Sequence, residues 1–399
     1  MIKTEHIYLD SAATTPVDNR AKKEMEAYFS EYFGNPGSTH DAGIHAKNAV
    51  EYSRIRVANV LHCTPEEIIF TSGGTESINL ALQGISRALK NKGKHIITSK
   101  IEHPAVLNTC KYLEQEGYSV TYVDVDSQGI IDVQQLTKAL RKDTILITIM
   151  YANNEIGTIQ PIAQIAEIAR QNNVYFHTDA CQAAGMLDIN VENSPVDLMT
   201  LNGSKIYGPK GAGVLYVRKE VNITPLLFGG GQEHGLRSGT ENVPAITGFA
   251  KALELADAEK ENETKRLTKL RDTLIKEILE KIPQAKLNGS VTKRLPNNVN
   301  ISVPAIDGQT LVNLLNEQGI CASTGSACTT QTIEPSHVLT ALGETEEMAH
   351  GAVRFTIGRK TTKEHIDKVI KILPLLVAQL QSIQPTLELE PISTSERTK

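Results

Sequence analysis

Short strand-like segments that alternate with helical segments constrain the fold of this chain most strongly. The strand-like runs are rich in Val, Ile, Leu, Thr and Tyr, and segments with apolar residues at helical spacing separate them. The strand-like runs lie at 67–71, 95–99, 119–125 and 145–151, with three more between 175 and 217, and helices are predicted at 19–32, 46–61, 77–82, 133–140 and 162–170. Repeated β–α units predict an α/β protein with a mostly parallel sheet and helices on both faces.

The chain of 399 residues is long enough for one large and one smaller domain. A helical pattern runs from 244 to 282, and its middle, 257–266, is almost wholly polar, which is typical of a helix that bridges two domains through solvent. An apolar stripe returns after this middle. We expect a large domain at 16–258, a small α+β domain made of 1–15 and 259–383, and a disordered tail at 384–399.

Composition and charge narrow the class of protein. The net charge of −5 argues against a broad basic face and therefore against stable nucleic-acid binding. The first residues lack an apolar signal region, and the longest apolar run, 372–380, is too short to span a bilayer. Five cysteines are scattered without a Cys-x-x-Cys pair, which favours reduced thiols, no metal site and a cytoplasmic location.

Glycine and polar residues follow several predicted strands directly. They are Gly73, Gly74, His103, Asn154, Asp179 and Lys205. Ligands of α/β sheets bind at the carboxyl ends of the strands, where such residues gather. The sequence therefore predicts one binding site at this edge of the sheet.

The pairing of Asp179 with Lys205 indicates the chemistry of that site. A lysine amine can bond to the aldehyde of pyridoxal 5′-phosphate (PLP), and an aspartate can hold the pyridinium nitrogen protonated. The two residues end neighbouring predicted strands and have small residues around them. The alternative interpretation is a solvated ion pair with a strand-end Asp that caps a turn.

The turn Ser72-Gly-Gly-Thr75 between a strand and a helix is typical of a phosphate site. Free backbone N–H groups and the positive end of the helix dipole face an anion there. A plain helix cap at Thr75 is the alternative. The aspartate and lysine downstream favour the phosphate interpretation, with Gly74 and Thr75 as ligands.

Two sequence motifs resemble motifs of a known protein family. Asp179-Ala-Cys-Gln182 and Gly203-Ser-Lys-Ile-Tyr-Gly-Pro-Lys-Gly211 are similar to motifs of the cysteine desulfurases, which belong to the class V aminotransferase group of fold-type I PLP enzymes. The resemblance runs from about Tyr8 to about Leu380. It implies PLP as cofactor, L-cysteine as substrate and a homodimer with shared sites.

The resemblance also implies roles for individual residues. Lys205 would bond to the cofactor and remove the substrate's α-proton. His103 would stack on the ring and move protons, Asn154 would bond near the cofactor, and Gln182 would bond the ring oxygen. The segments 8–15 and 33–38, with Asn35, would line the substrate side. Arg354 would hold the substrate carboxylate, and Thr240, in Arg237-Ser-Gly-Thr240, would reach the partner subunit's phosphate.

Two positions depart from the family pattern. Ser204 stands where a histidine usually precedes the lysine, and Asn202 stands where a serine is frequent. Both side chains can still donate hydrogen bonds to a phosphate. We expect both to bind the cofactor.

Cys328 differs from Cys63, Cys110 and Cys321, which we expect to be buried apolar residues. It lies among small and polar residues and should be exposed on a mobile loop. It matches the Ser-Ala-Cys motif of desulfurases with a long active-site loop. The resemblance implies that its thiolate takes the substrate sulfur as a persulfide. The persulfide would pass to an acceptor protein for iron–sulfur cluster assembly or RNA thiolation, with at most a transient contact to a cluster on a scaffold.

Two other functions stay open on the sequence. Another class V activity, such as a transaminase or selenocysteine lyase, would keep Lys205 and Asp179 without needing Cys328. A sulfur carrier or assembly scaffold could retain the fold without turnover. The intact lysine, aspartate, histidine and arginine argue against the scaffold.

Overall fold

The computed structural model describes residues 6–325 and 335–383. Its strands are β1 (Ile7–Tyr8), β2 (Ile68–Thr71), β3 (His95–Ser99), β4 (Ser119–Val123), β5 (Thr144–Thr148), β6 (Tyr175–Asp179), β7 (Leu198–Asn202), β8 (Gly213–Val217), β9 (Lys286–Leu287), β10 (Asn298–Ser302), β11 (Ile320–Cys321) and β12 (Ala352–Thr356). Its helices are α1 (Asn19–Ser30), α2 (Asp41–Leu61), α3 (Gly74–Ala88), α4 (Pro104–Gln115), α5 (Val133–Ala139), α6 (Ile162–Gln171), α7 (Val243–Lys281), α8 (Gly308–Glu317), α9 (His337–Ala341), α10 (Glu346–His350) and α11 (Lys363–Ile383). No described helix has the length and apolar character needed to cross a membrane.

Seven strands form the large sheet, in the order β2-β8-β7-β6-β5-β3-β4. Strand β8 runs antiparallel to both of its neighbours, and the other strand pairs of the sheet are parallel. The prediction of a mostly parallel α/β sheet is therefore confirmed.

Helices cover both faces of the large sheet, so its strands are apolar on both sides. Along β2, Ile68 and Phe70 pack into one core and Ile69 into the other, as strand geometry requires. The first core includes residues of α2, α6 and the first half of α7, and the second includes residues of α3 and α4. Burial on both faces explains why these strands read as continuous apolar runs.

A second layer lies C-terminal to the large sheet. The antiparallel sheet β12-β10-β9 packs with α8 and α11 around a separate apolar core, and the short parallel pair β1-β11 lies beside it. Ile7 and Leu9 belong to this core, so the start of the chain packs with its C-terminal part. We call this unit, with the second half of α7, the C-terminal layer.

Helix α7 joins the two parts as one continuous element of 39 residues. Phe249 and Leu253 pack in the core of the large sheet, whereas Leu267 and Leu274 pack in the C-terminal layer. The polar middle of the helix lies between these contacts, but it does not cross open solvent as predicted, because Arg266 donates to the Thr361 backbone oxygen at 2.6 Å. The proposed boundary between 258 and 259 falls inside this helix, and the division into domains stays a prediction.

The glycine-rich loop before α7 is anchored by a buried ion pair. The two carboxylate oxygens of Glu233 each accept a hydrogen bond of 2.9 Å from the Arg54 guanidinium, and one also accepts from the Phe70 N–H at 2.7 Å. Glu233 and His234 both have left-handed backbones, with φ of 49° and 55°. Non-glycine residues rarely adopt this conformation and need support from their surroundings, which the ion pair provides at Glu233. The loop is thereby fixed against β2.

We predict that Glu233→Gln destabilises the fold strongly. The Arg54 guanidinium, with 3% of its side chain exposed, would lose its charged partner in the interior. A broken buried pair typically costs about 3–5 kcal/mol, so urea denaturation should show a loss of this size. The exposed pair Lys265–Glu261 provides the control, and Glu261→Gln should leave the midpoint unchanged. Equal midpoints for both variants would show that Glu233 is not a structural anchor.

Candidate functional site

The carboxyl ends of β2, β3, β5, β6 and β7 meet at one edge of the large sheet, because these strands run in the same direction. The glycines at 73 and 74 follow β2, His103 follows β3, and Asn154 follows β5. Asp179 ends β6 and Lys205 lies in the turn after β7. The structure therefore brings the predicted strand-end residues to a common edge.

A cavity of about 350 Å³ opens at the start of α3. The residues that line it are Ala13, Thr14, Ser72, Gly73, Gly74, Thr75, Glu76, Asn202, Ser204, Lys210 and Gly211. All four predicted phosphate ligands of this chain, Gly74, Thr75, Asn202 and Ser204, belong to this set. The structure therefore gathers them around one space at a helix N-terminus, where an anion is favoured.

Two glycines, Gly74 and Gly213, allow the close packing around this cavity, which we call the anion cradle. A Cβ atom on Gly74 would lie 2.9 Å from the Cys181 sulfur, and a Cβ on Gly213 of β8 would lie 2.6 Å from the Gly73 Cα. Gly73 has φ of 145° and provides the N-cap of α3 in place of Thr75. The threonine hydroxyl is thus not used as the helix cap. The small residues thus let β8 and Cys181 pack closely against the turn at the start of α3, which borders the cavity.

Asn202 and Ser204 are linked to each other within the cradle. The Asn202 side-chain oxygen accepts from the backbone N–H and from the hydroxyl of Ser204, each at 3.3 Å. This leaves the side-chain NH₂ of Asn202 as a donor for an anion. The Asn202 position therefore retains a donor, whereas the hydroxyl proton of Ser204 is directed to the Asn202 side chain.

Lys205 lies beside the N-terminal segment of the chain. Its amine donates to the backbone oxygen of Ala13, and the side-chain amide of Gln182 donates to the backbone oxygen of Ala12 at 3.1 Å. Asp179 is buried and accepts from the Cys181 N–H at 3.0 Å. The segment predicted to line the substrate side thus contacts two of the predicted site residues.

His103 is held as a neutral imidazole. Its Nδ1 accepts a hydrogen bond of 3.1 Å from the Ala105 N–H and caps α4, so Nδ1 carries no proton. Burial lowers the pKa of His103, an effect that Asp179 opposes and Lys205 and His337 reinforce. The Nε2–H is then available as a donor toward the site.

Glu102, next to His103, is a buried acid to which the sequence motifs assigned no role. One carboxylate oxygen accepts from the Ser99 hydroxyl at 2.6 Å, and both accept from the Met150 N–H at 3.0 Å. Burial raises the pKa of Glu102 to about 8, with a further contribution from Asp179. A glutamate directly before the predicted catalytic histidine was the available signal. Its side chain supports the turn after β3.

Arg354 lies on β12 and reaches the site from the C-terminal layer. Its guanidinium donates to the Asp10 carboxylate at 2.8 Å and to the backbone oxygen of Asn154 at 2.9 Å. Its Nε is buried and has no hydrogen-bond partner among the described residues. A buried guanidinium with an unused N–H suits recognition of a carboxylate.

Two predicted residues lie away from this cluster. Asn35 is exposed and accepts from the Gly37 N–H within its own loop. Thr240 is exposed at a separate cavity of about 180 Å³, which Ser72 and Gly211 also line. The loop of Thr240 is tied to the start of α3 by hydrogen bonds from Arg237 to the Glu76 carboxylate at 2.8 and 3.3 Å.

Cys328 lies outside the described residues, as does the predicted tail 384–399. The described cysteines are free thiols: Cys63, Cys110, Cys181 and Cys321. Burial raises the pKa of each of them, to about 12 for Cys63 and well above the usual range for Cys181. None of these four therefore forms a ready thiolate at neutral pH.

Comparisons with known proteins give one family over nearly the whole chain. The family described as Aminotransferase class-V matches residues 7–369. A "Cysteine desulfurase IscS" of Methanosarcina thermophila is 51% identical over 386 residues, which cover 96% of this chain and 95% of that protein. One of Dictyoglomus turgidum is 48% identical and covers 95% of this chain and 96% of that protein.

Solved structures agree with the sequence comparison. A "NifS-like protein" superposes with a TM-score of 0.89 at 41% identity, covering 94% of this chain and 100% of the other. A structure described as "SspA in complex with cysteine" superposes with a TM-score of 0.79 at 38% identity, covering 88% of this chain and 98% of the other. The fold is thus that of NifS-like proteins.

We predict that Glu102 makes the stability of the cofactor-free protein depend on pH. Its pKa rises from 4.5 in the unfolded chain to about 8 in the folded protein, so unfolding releases a proton between these pH values. The contribution to stability is present below pH 4.5 and is lost as the pH rises through about 8. Urea denaturation at several pH values should show this fall.

Glu102→Gln cannot ionise, so its free energy of unfolding should fall less between these pH values than that of the unchanged protein. Glu116→Gln, an exposed substitution just after α4, is the matched control and should retain the full fall. If Glu102→Gln and Glu116→Gln gave the same pH profile, the buried proton would lie elsewhere.

Proposed function

This chain belongs to the class-V aminotransferase family, and on that premise we propose that it is a PLP-dependent cysteine desulfurase that converts L-cysteine to L-alanine. The observation that carries the proposal is the gathering of Lys205, Asp179 and His103 at one sheet edge beside a glycine-lined anion cradle. Near-full-length identity to proteins named cysteine desulfurase supports the choice of reaction.

The residues at this edge fit PLP. Gly74, Thr75, Asn202 and Ser204 would hold its phosphate, since they line one cavity at a helix N-terminus. Asp179 would pair with the ring nitrogen, Gln182 with the ring oxygen, and His103 would stack on the ring. Asn154 would complete the hydrogen bonds around it. When bound, PLP supplies an aldehyde for an amine and a ring that withdraws electrons from the substrate α-carbon.

Lys205 is the proposed base. Its amine accepts the proton from the α-carbon of cysteine, and the backbone oxygen of Ala13 holds that amine on the site side of its turn. His103 presents Nε2–H, because Nδ1 is committed to the Ala105 N–H, and it donates or recovers protons around the ring. Lys205 thus takes the α-proton of cysteine while bonded to Ala13, and His103 moves its Nε2 proton while bonded to Ala105.

Arg354 is the proposed carboxylate ligand. The Asp10 carboxylate and the Asn154 backbone oxygen fix its guanidinium, while its buried Nε–H is left unused by the described residues. An incoming carboxylate would give this cation a second anionic partner. The arrangement favours substrates with an α-carboxylate, such as L-cysteine.

Cys328 is the proposed sulfur acceptor. Its thiolate attacks the substrate sulfur, an S–S bond forms, and the carbon–sulfur bond of cysteine breaks with its electron pair going to carbon. Protonation of that carbon gives alanine, so cysteine and one enzyme thiol become alanine and one enzyme persulfide. The persulfide then transfers sulfur to an acceptor protein of iron–sulfur cluster assembly or thiolation. The raised pKa values of the described cysteines favour Cys328 for this role.

A homodimer with shared sites is part of the proposal. Large apolar side chains are exposed near the start of the chain and in the glycine-rich loop: Phe29, Phe33, Tyr52, Ile55 and Phe228. Exposed apolar groups of this size favour burial against a partner. A second copy would let exposed Thr240 and Asn35 reach a neighbouring site. The proposed location is the cytoplasm, because the scattered cysteines without a Cys-x-x-Cys pair favour reduced thiols.

Lys205 should be the residue that bonds to PLP. Incubation with PLP, reduction with borohydride and peptide mapping should place the pyridoxyl group on Lys205, because its amine contacts Ala13, which lines the phosphate cavity. Lys210→Arg is the control, since Lys210 also lines the phosphate cavity, and it should retain the label. A label on Lys210 would overturn the assignment.

Cys328→Ser should separate sulfur transfer from cofactor binding. The variant should bind PLP and change its absorption when cysteine is added, but it should release almost no alanine, because a hydroxyl is a weak nucleophile toward sulfur. Cys321→Ser, at a thiol whose pKa is already raised by burial, should keep alanine formation. Alkylation after cysteine addition should find the extra sulfur on Cys328. Near-normal alanine release by Cys328→Ser would favour a transaminase or lyase instead.

A further inference from the structure

Tyr207, two residues after Lys205, has an unusual backbone. Its φ is 62°, in the left-handed region that non-glycine residues rarely enter, and the residue is 8% exposed. It ends the turn 203–207 that carries Lys205, which we call the lysine turn. A strained conformation of this kind persists only where its surroundings hold it.

Thr15 holds the lysine turn from one side. Its N–H and its hydroxyl both donate to the Ser204 backbone oxygen, at 2.8 and 3.0 Å. The same hydroxyl oxygen accepts from the Tyr207 N–H at 2.8 Å. Thr15 is 2% exposed, so water does not compete with these bonds. A single side chain thus closes the turn on both sides of Lys205.

Arg359 holds Tyr207 from the C-terminal layer. Its backbone N–H donates to the Tyr207 hydroxyl at 2.7 Å, and its guanidinium lies 4.4 Å from the ring centroid. The guanidinium also donates to the Asp18 carboxylate at 2.8 Å. The Asp18 N–H donates in turn to the Tyr207 backbone oxygen at 2.8 Å. Together, these contacts hold both the side chain and the backbone of Tyr207.

Gly358 allows the segment after β12 to approach Tyr207 closely. A Cβ atom at this position would lie 2.7 Å from the Tyr207 hydroxyl and 2.6 Å from the Ser11 hydroxyl. The segment after β12 can therefore touch the lysine turn only with glycine at this place. Arg354, the proposed carboxylate ligand, lies on the same strand β12.

We propose that Thr15, Tyr207 and Arg359 form a clamp that positions Lys205, and that the clamp couples the lysine to the C-terminal layer that carries Arg354. The inference rests on the proposed role of Lys205 as base. Thr15 and Arg359 touch neither the substrate nor the cofactor in this proposal; they are positioning residues. The clamp fixes the direction of the Lys205 side chain, and its loss leaves substrate binding largely intact.

The test compares Thr15→Val with Thr15→Ser and Thr144→Val. Valine removes the hydroxyl that bonds Ser204 and Tyr207, whereas serine retains it. Thr144, at the start of β5 and therefore at the opposite edge of the sheet, is a matched control: it is 3% exposed, and its hydroxyl likewise accepts from a backbone N–H, that of Arg141 at 2.8 Å. Amide hydrogen exchange of the cofactor-free protein reads the lysine turn without any catalytic assay.

In Thr15→Val, the Tyr207 amide should exchange about tenfold faster, the size expected for one lost hydrogen bond. With PLP bound, kcat should fall by about tenfold while the KM for cysteine changes less than about twofold. Thr15→Ser should restore both values. Thr144→Val should leave the exchange of the Tyr207 amide and kcat unchanged.

Tyr207→Phe provides a second variant if Thr15→Val does not fold. It removes the hydroxyl that accepts from the Arg359 N–H and that also bonds the Ser11 side chain, and it should lower kcat more than KM and speed exchange in the lysine turn. Unchanged exchange and unchanged kcat in the folded variant would overturn the clamp. If the unmodified protein released no alanine from cysteine, the proposed function would fail, but the exchange comparison would still decide whether the clamp exists.

Discussion

The burial of both faces of the large sheet governs the rest of this structure. Helices cover each face, so the strands bury mainly apolar side chains such as Ile69, Ile97 and Phe176. A ligand can reach polar groups where the strands end, because there the backbone leaves the sheet with unused hydrogen-bonding groups. The parallel strands deliver those ends to one edge. Asp179 and Lys205 become neighbours through this arrangement although they are distant from each other along the chain.

The N-terminal segment is the second requirement for the site. It begins in the core of the C-terminal layer at Leu9 and then crosses to the edge of the large sheet. On the way, Asp10 meets Arg354, Ala13 meets the Lys205 amine, and Thr15 meets the lysine turn. Because one short segment contacts the proposed base and the proposed carboxylate ligand, a displacement of the C-terminal layer would be felt at both.

Much of the fold could be predicted from the sequence because its strongest signals are periodic. The β–α alternation gave the parallel sheet, and the polar middle of α7 indicated a bridge. The two-residue strands β1, β9 and β11 could not be predicted, since two residues carry no period. The left-handed backbone of Tyr207 also had no signal, because it depends on contacts with Thr15 and Arg359, which lie far away in sequence.

The positions of the candidate site residues could likewise be predicted in part, because they follow from the periodic pattern of strands and helices. The residues that directly follow strands could be placed at one edge from their positions alone. The neutral state of His103 and the buried proton of Glu102 could not, because both depend on burial in the folded protein. The position of Thr240 and Asn35 on the surface was likewise invisible in the motifs that singled them out.

The pKa of the Cys181 thiol narrows the choice of the cysteine that would take up sulfur in the proposed reaction. Cys181 lies two residues from Asp179 and its sulfur packs against the Gly74 turn, so proximity alone would favour it. Burial and the Asp179 carboxylate instead raise its pKa far above the usual range, and a thiol that cannot ionise is a poor nucleophile. Burial therefore makes Cys181 a poor nucleophile, and the proposed sulfur chemistry requires another thiol of the chain. Cys328, among small polar residues, is the cysteine whose sequence meets that requirement.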